Sequence, residues 1–460
     1  MKHQFSSPGR WSRKALLGLA LAAAGALGAC DSLLDVENPQ AIDPEQLNEP
    51  FYLGLLTNGV VGDFQRAFDD VVLFSGVFSD ELRNHATFEE EPRIDQRDVT
   101  SGNGTAALVY TQLQRTRGLA DSTASRFRTL RGDSANSDLR LARVQAYGGM
   151  TYVLMAEVLC EAPVNLSRPY TPTELLDSFA IPRFEDAIRV ATAARAAAAA
   201  ANPVGTRTIA GADSIINLAR VGAARASLNL LGLTKNERHR QRAIDFATPV
   251  PAGFLFLSYY SEPAAELNNF VWSRLTNSIS ASVSNTPFEA LRGLEPRVPI
   301  PTTLETATGG LRVYVPNSPA AYSTYRDSLP GAEFSKESHI RIASGLEARY
   351  IRAEAEGATP ENIAFIESRR VIGRDTVGAG ATVRTTAANF LSNLRDQRRR
   401  DFYLDGHRLG DLRRYRSQYG DIEDFNEFQQ GLYPGSTTIS YADQYCFPVN
   451  LAEVNGNPFY

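Results

Sequence analysis

Between Asp138 and Cys160 the chain is apolar on almost every side of a helical wheel. A helix of that kind has no face to give to water, so other helices have to enclose it at the centre of a core. The remaining sequence supplies candidates. Apolar residues recur at helical spacing over Glu45–Gly62 (Leu47, Phe51, Leu55, Leu56) and over Thr105–Arg131, where Val109, Leu113, Ala120 and Phe127 share one stripe. Asp69–Leu82 is a second apolar stretch. Thr173-Glu174 favours a helix N-terminus, and that helix runs through an alanine-rich end to stop at Asn202-Pro203. Asp213–Leu231 and Glu237–Phe246 form the next pair, and Ile342–Glu356, Pro360–Arg370 and Ala387–Tyr415 continue the pattern.

The texture changes between Pro249 and about Ile340. Pro, Ser, Thr and Asn become frequent, with short β-like runs at Phe254–Leu257 and Leu311–Val315. The expected fold is therefore mostly all-α. Helical pairs resemble a tetratricopeptide scaffold over 44–248 and 341–460, and 249–340 forms a loop-rich insertion containing short strands.

The N-terminus carries a different signal. Lys2, Arg10, Arg13 and Lys14 precede an apolar run from Ala15 to Leu27, which ends in Gly28-Ala29-Cys30. That order reads as a signal peptide over 1–29. The terminal Cys30 resembles the lipobox of bacterial lipoproteins, whose thiol is acylated; the alternative is a secreted protein in which Cys30 merely follows the cleavage site. Residues 30–43 then form an acidic tether. Removing the first 29 residues, with four basic and no acidic side chains, moves the formal charge from -5 to -9. An acidic surface argues against nucleic-acid binding. No second apolar run reaches membrane length, so the expected contact with the membrane is the lipid anchor. Cys160 and Cys446 either pair or remain two buried thiols.

Catalytic patterns are missing. The chain has no H-E-x-x-H, C-x-x-C, G-x-S-x-G or Walker loop. Gly102–Ala107 fits G-x-G-x-x-A, but a charged segment precedes it where a Rossmann turn needs a strand. His85, His239, His339 and His407 have no ligand spacing, so neither a metal nor another cofactor is expected. Nothing singles out a carboxylate pair for glycoside hydrolysis, so the chain reads as a non-enzyme. Eight Arg and four Asp lie between Asn393 and Arg416. Interleaved signs suit an ion-paired helix, with Asp405–Arg408 and Asp411–Arg414 paired across one turn and Gly406 breaking or joining two helical turns.

Several segments together resemble the SusD/RagB family of outer-membrane nutrient-binding lipoproteins. Leu34-Asp35-Val36-Glu37-Asn38-Pro39 is similar to the family's mature N-terminus, and Arg349–Ala355 to its "LIRAEA" helix. Arg398–Arg414 resembles "RRxE-x-x-x-EGxRxxDLRR", with Asp401 and Asp405 in place of Glu and Leu409 in place of an aromatic. Phe447–Pro458 resembles "FPIP-x-x-E-x-x-x-NP". The resemblance implies capture of a nutrient, a glycan or oligosaccharide, beside a SusC-like TonB-dependent outer-membrane barrel, with the protein lipid-anchored on the extracellular face. A helical-repeat adaptor that binds no nutrient is the alternative; a lipid-anchored hydrolase ranks below both.

Aromatic rings stack on sugar faces, which makes Trp272, Tyr259, Tyr260 and Phe270 in the insertion ligand-binding candidates, with Tyr314, Tyr322 and Tyr325 as a second group. Any one of these rings can instead pack the insertion onto the helices. The resemblance also places ligand contacts in the loop before the Thr105 helix, which adds Arg83, Phe88 and Arg97.

Overall fold

In the computed structural model, residues 46–318, 334–374, 385–420 and 427–460 are described. Cys30, the tether, Tyr322 and Tyr325 lie outside them. The chain divides into two units, Met1–Tyr52 and Leu53–Tyr460. The described part of the first holds two single turns, Gln46–Asn48 and Pro50–Tyr52, with the Phe51 and Tyr52 rings edge to face at 5.2 Å. The helix expected from Glu45 therefore starts only after Pro50, which lacks the N–H that a helix interior requires.

Helix α1, Leu53–Ser79, is one uninterrupted rod where two apolar stretches were expected. Phe64, Ala67 and Phe68 carry the buried stripe across the polar gap, and from Ala67 to Ser79 every residue is buried. After β1 (Arg83–Asn84) comes α2 (Glu90–Asp95), a short helix inside a segment that reads as loop. Then α3 (Gly104–Arg131) starts at Asn103, whose side chain accepts the Ala106 N–H at 2.9 Å. Val109, Leu113, Ala120 and Phe127 all face the core, as the spacing requires.

Helix α4, Leu139–Val158, is the enclosed one: from Ala146 onward every residue is buried. Strands β2 (Ala162–Pro163) and β3 (Pro169–Tyr170) lead to α5, Ile181–Ala200. The capping box before α5 lies two residues earlier than the Thr173 reading. Thr171 Oγ1 accepts the Glu174 N–H, and the Glu174 carboxylate accepts the Thr171 N–H at 2.9 Å. Helices α6 (Thr206–Thr234) and α7 (Glu237–Ala247) follow. Phe184 of α5 is wedged between α4 and α6 because both are glycine where its ring lies. A Cβ on Gly149 would sit 2.7 Å from the ring, and one on Gly222 only 2.3 Å. Two missing methyls thus let three helices close around one phenylalanine.

Consecutive helices pack on one another (α1 on α3, α3 on α4, α4 on α5, α5 on α6, α6 on α7), which is the helical-pair scaffold. The insertion contributes β4 (Leu255–Ser258), β5 (Ala281–Ser282), β6 (Glu305–Thr306) and β7 (Arg312–Val313). Strand β8, Ile340–Ser344, pairs antiparallel with β4, so Ile342 belongs to a strand and not to a helix start. The other ladders are β1–β5, β2–β3 and β6–β7, all antiparallel.

The C-terminal scaffold holds α8 (Gly345–Glu356), α9 (Pro360–Ile372), α10 (Phe390–Asp401) and α11 (Arg408–Tyr419), then the short α12 (Leu451–Gly456). The single helix expected over Ala387–Tyr415 is broken at 402–407, where Leu404 (φ 55°) and Gly406 (φ 77°) turn the chain through the left-handed region.

Arg398 and Arg414 of this segment are buried ion-pair partners. Arg398 reaches Asp411 at 2.7 Å, and Arg414 reaches both Asp411 (2.8 Å) and Glu354 (3.0 Å). Asp411 is held below the ordinary carboxylate range: burial opposes its charge, but Arg398 and Arg414 outweigh it. The Asp411–Arg414 pair follows its spacing. The Asp405–Arg408 pair does not form, because Asp405 lies in the turn and binds Arg341 and His407 (2.9 Å). Cys160 and Cys446 form a disulfide, and the parallel bridge Leu159–Phe447 lies beside it.

Candidate functional site

Two of the insertion's aromatic candidates, Tyr260 and Phe270, lie against α1. Asn269 organises the turn that bears Phe270. Its side chain caps the turn Phe270–Trp272 by accepting the Trp272 N–H at 2.9 Å, and donates to the Ser338 carbonyl at 2.7 Å. Phe270 N–H donates to the buried Asp69 carboxylate at 3.0 Å, which pins the turn to α1. Burial, with the charge of Asp70 beside it, pushes Asp69 well above the usual carboxylate range; burial pushes Asp70 up to about 7. The turn is therefore held by a carboxyl group, that of Asp69, which resists ionisation.

Tyr259 is 60% exposed, its ring 4.5 Å from and edge-on to the half-buried His339. Tyr260 next to it points inward, its hydroxyl 3.4 Å from the Gln65 carbonyl. Trp272 and Phe270 are half-buried, with Phe270 6.2 Å from Phe74 of α1. Tyr314 lies under the Arg292 guanidinium, 3.9 Å from ring centre to cation.

Directly after Trp272 the chain winds into a wide turn, Ser273–Asn277, and then forms one wall of a cleft of about 490 Å³. Leu275, Thr276 and Ile279 supply that wall; Pro301, Thr303 and Glu305 supply a second, and Val315–Ser318 with Phe334 a third. Ile279 holds φ 44°, unusual for a β-branched residue, and its carbonyl accepts the Thr308 N–H at 3.1 Å. Such strain persists where the surroundings over-determine the backbone, and it concentrates at ligand sites. A cleft of this size with apolar walls and a few polar groups suits a small-molecule ligand. The sequence singled out none of its lining residues; the Pro-, Ser-, Thr- and Asn-rich texture of the insertion was the available signal.

The loop before α3 is built differently. Arg83 is buried, bound to Asp95 at 2.8 Å and stacked on Tyr433 at 4.1 Å. Burial raises Asp95 to about 6, with Arg83 opposing. Arg97 is fully buried and donates to the carbonyls of Gln429 and Gln444, the latter at 3.3 Å. These two arginines tie the C-terminal segment to the loop, and their guanidiniums face protein. Phe88 is 67% exposed. Among the described residues no group of His, Cys, Asp and Glu is arranged to hold a metal ion, and no helix is long and apolar enough to cross a membrane.

No family model matches the sequence, and no curated protein matches it. Solved structures do. A SusD superfamily protein from Parabacteroides distasonis aligns with TM-score 0.64 at 12% identity, over 89% of this chain and 98% of its own. A SusD/RagB family protein from Bacteroides thetaiotaomicron aligns with TM-score 0.60 at 13% identity, over 88% and 94%. The chain has the SusD fold. A further structure with TM-score 0.56 and 12% identity, over 89% and 97%, was solved with xylogluco-oligosaccharide. Within the SusD fold of this chain, the paired helices are the tetratricopeptide-like scaffold, and the cleft and the aromatic turn both belong to the insertion.

Proposed function

We propose that this protein captures a glycan or oligosaccharide, without turning it over, at the surface of the outer membrane. Cys30 carries the lipid anchor, and a SusC-like TonB-dependent barrel receives the ligand. The observation that carries the reading is the cleft of about 490 Å³ behind the Trp272 turn, in a chain with the SusD fold. The SusD-like neighbour solved with xylogluco-oligosaccharide supports a sugar as ligand. Tyr259 offers an exposed ring, and Trp272 and Phe270 two half-exposed ones, on which sugar faces can stack. Arg83 and Arg97 support the loop before α3 from below.

Calorimetry against neutral oligosaccharides, xylogluco-oligosaccharide included, tests the capture. Saturable heat that Trp272→Ala weakens supports the reading. Silence across the panel, with a co-purifying barrel, supports a helical-repeat adaptor instead. Anchoring is tested by fractionation: Cys30→Ser should move the protein out of the membrane fraction, and unchanged partition would discard the anchor.

A further inference from the structure

The Trp272 turn and the stretch after Phe334 reach the cleft from different parts of the insertion, and one buried side chain joins them. Asn269 is fully buried. Its side-chain oxygen accepts the Trp272 N–H at 2.9 Å, and its side-chain amide donates to the Ser338 carbonyl at 2.7 Å. Its own N–H donates to the Lys336 carbonyl, also at 2.7 Å, and its carbonyl accepts the Ser273 N–H at 3.2 Å. Both sides of this junction are braced. Asp69 of α1 holds the Phe270 N–H. On the other side the Ser335 N–H donates to Ser338 Oγ at 2.8 Å, and the Ser338 N–H to the Ser335 carbonyl at 3.0 Å. Leu275 and Thr276, just after the first turn, and Phe334, just before the second, line the cleft. The amide of Asn269 therefore bridges two of its walls.

We propose that Asn269 is the positioning residue of the ligand site: shielded from the ligand itself, it sets the spacing between the Trp272 and Phe334 walls of the cleft. The inference rests on the glycan reading above and adds a residue outside the cleft that governs its affinity. A sugar that packs against both walls needs them at one separation. A protein that holds that separation in advance binds without first ordering the walls. Cutting the amide's bond to Ser338, while sparing the cap on Trp272, leaves the Trp272 turn intact and loosens the Phe334 wall. A smaller fraction of molecules then presents the cleft ready-made, and the loss of one neutral hydrogen bond corresponds to roughly 2- to 10-fold in affinity.

Asn269→Asp makes that cut. A carboxylate has the same shape and still accepts the Trp272 N–H, but it meets the Ser338 carbonyl with an oxygen in place of a donor. Calorimetry uses xylogluco-oligosaccharide, or the strongest binder of the neutral panel. At mildly alkaline pH the variant should bind roughly 2- to 10-fold more weakly than wild type. The loss should be recovered as pH falls, because the protonated carboxyl regains a donor for Ser338. The titratable groups around the turn, Asp69, Asp70, Arg274, Lys336, Glu262 and His339, are the same in both proteins. The difference between the two pH profiles therefore belongs to position 269. Equal affinities, or a loss that does not depend on pH, overturn the positioning role while leaving glycan capture standing; a substitution that merely weakened the fold would lower Tm without that recovery. Should the variant fold poorly, hydrogen exchange on the wild type decides. The ligand should slow exchange in peptides from both 270–279 and 334–340, and protection of the first alone overturns the bridge. A wild type silent toward the whole neutral panel overturns the glycan reading itself.

Discussion

Arg408 at the start of α11 donates from Nε and Nη2 to the two carboxylate oxygens of Asp80, both at 2.7 Å, across 328 residues of sequence. Both side chains are shut away from solvent. A bidentate pair of this kind is directional as well as charged, so it aligns the C-terminal scaffold against the end of α1. Around it, Leu404 N–H donates to the Glu81 carboxylate at 2.9 Å, so the same turn is held at a second point.

Breaking that pair takes both Asp80 oxygens away from a buried guanidinium. Asp80→Asn should cost about 3–5 kcal/mol of unfolding free energy, read from urea denaturation. A loss below about 1 kcal/mol, the level of an exposed pair, would show that Arg408 finds another acceptor.

The glycines around Phe184 make a steric prediction with an internal control. Gly222→Ala places a methyl 2.3 Å from the Phe184 ring and 2.9 Å from Met150 Sδ, and should destabilise by roughly 1–3 kcal/mol. Gly62→Ala, on an exposed part of α1 with nothing within 4 Å, should instead stabilise by about 0.5–1 kcal/mol through helix propensity. Equal shifts for the two variants in thermal denaturation would refute the wedge.

The disulfide closes a segment of 286 residues and ties the C-terminal stretch to the end of α4. The Cys160 N–H also donates to the Phe447 carbonyl at 2.9 Å. Reduction, or Cys446→Ser, should cost roughly 2–5 kcal/mol, seen as a lower Tm with reductant present. Superimposable melting curves with and without reductant would rule this contribution out.

Stability should also respond to Asp70. Burial raises its carboxyl from the ordinary value near 4 to about 7. The folded state thus holds a proton that the unfolded chain releases, so the stability this group contributes is complete below about pH 4 and is lost as pH rises to about 7. Asp70→Asn should flatten that part of the stability–pH curve. A slope identical to wild type between about pH 4 and 7 would assign the dependence to other groups.

What the sequence determined by itself was set by spacing within a few turns of chain. The all-round apolar stretch became the enclosed α4, the stripe of α3 faced the core, and Asp411 paired with Arg414 three residues on. The Pro- and Ser-rich texture after Pro249 marked the loop-rich insertion that holds the cleft. Tertiary structure alone decided which distant groups meet. It sent Arg408 to Asp80 and not to Asp405, split the last long helix at 402–407, joined Cys160 to Cys446, and turned Arg83 and Arg97 inward as ties for the C-terminal segment. The reason is physical. Helical periodicity says which face of an element is buried, but a buried charge must be satisfied by whatever the packed neighbour brings. That neighbour is known only once the helices have closed on one another.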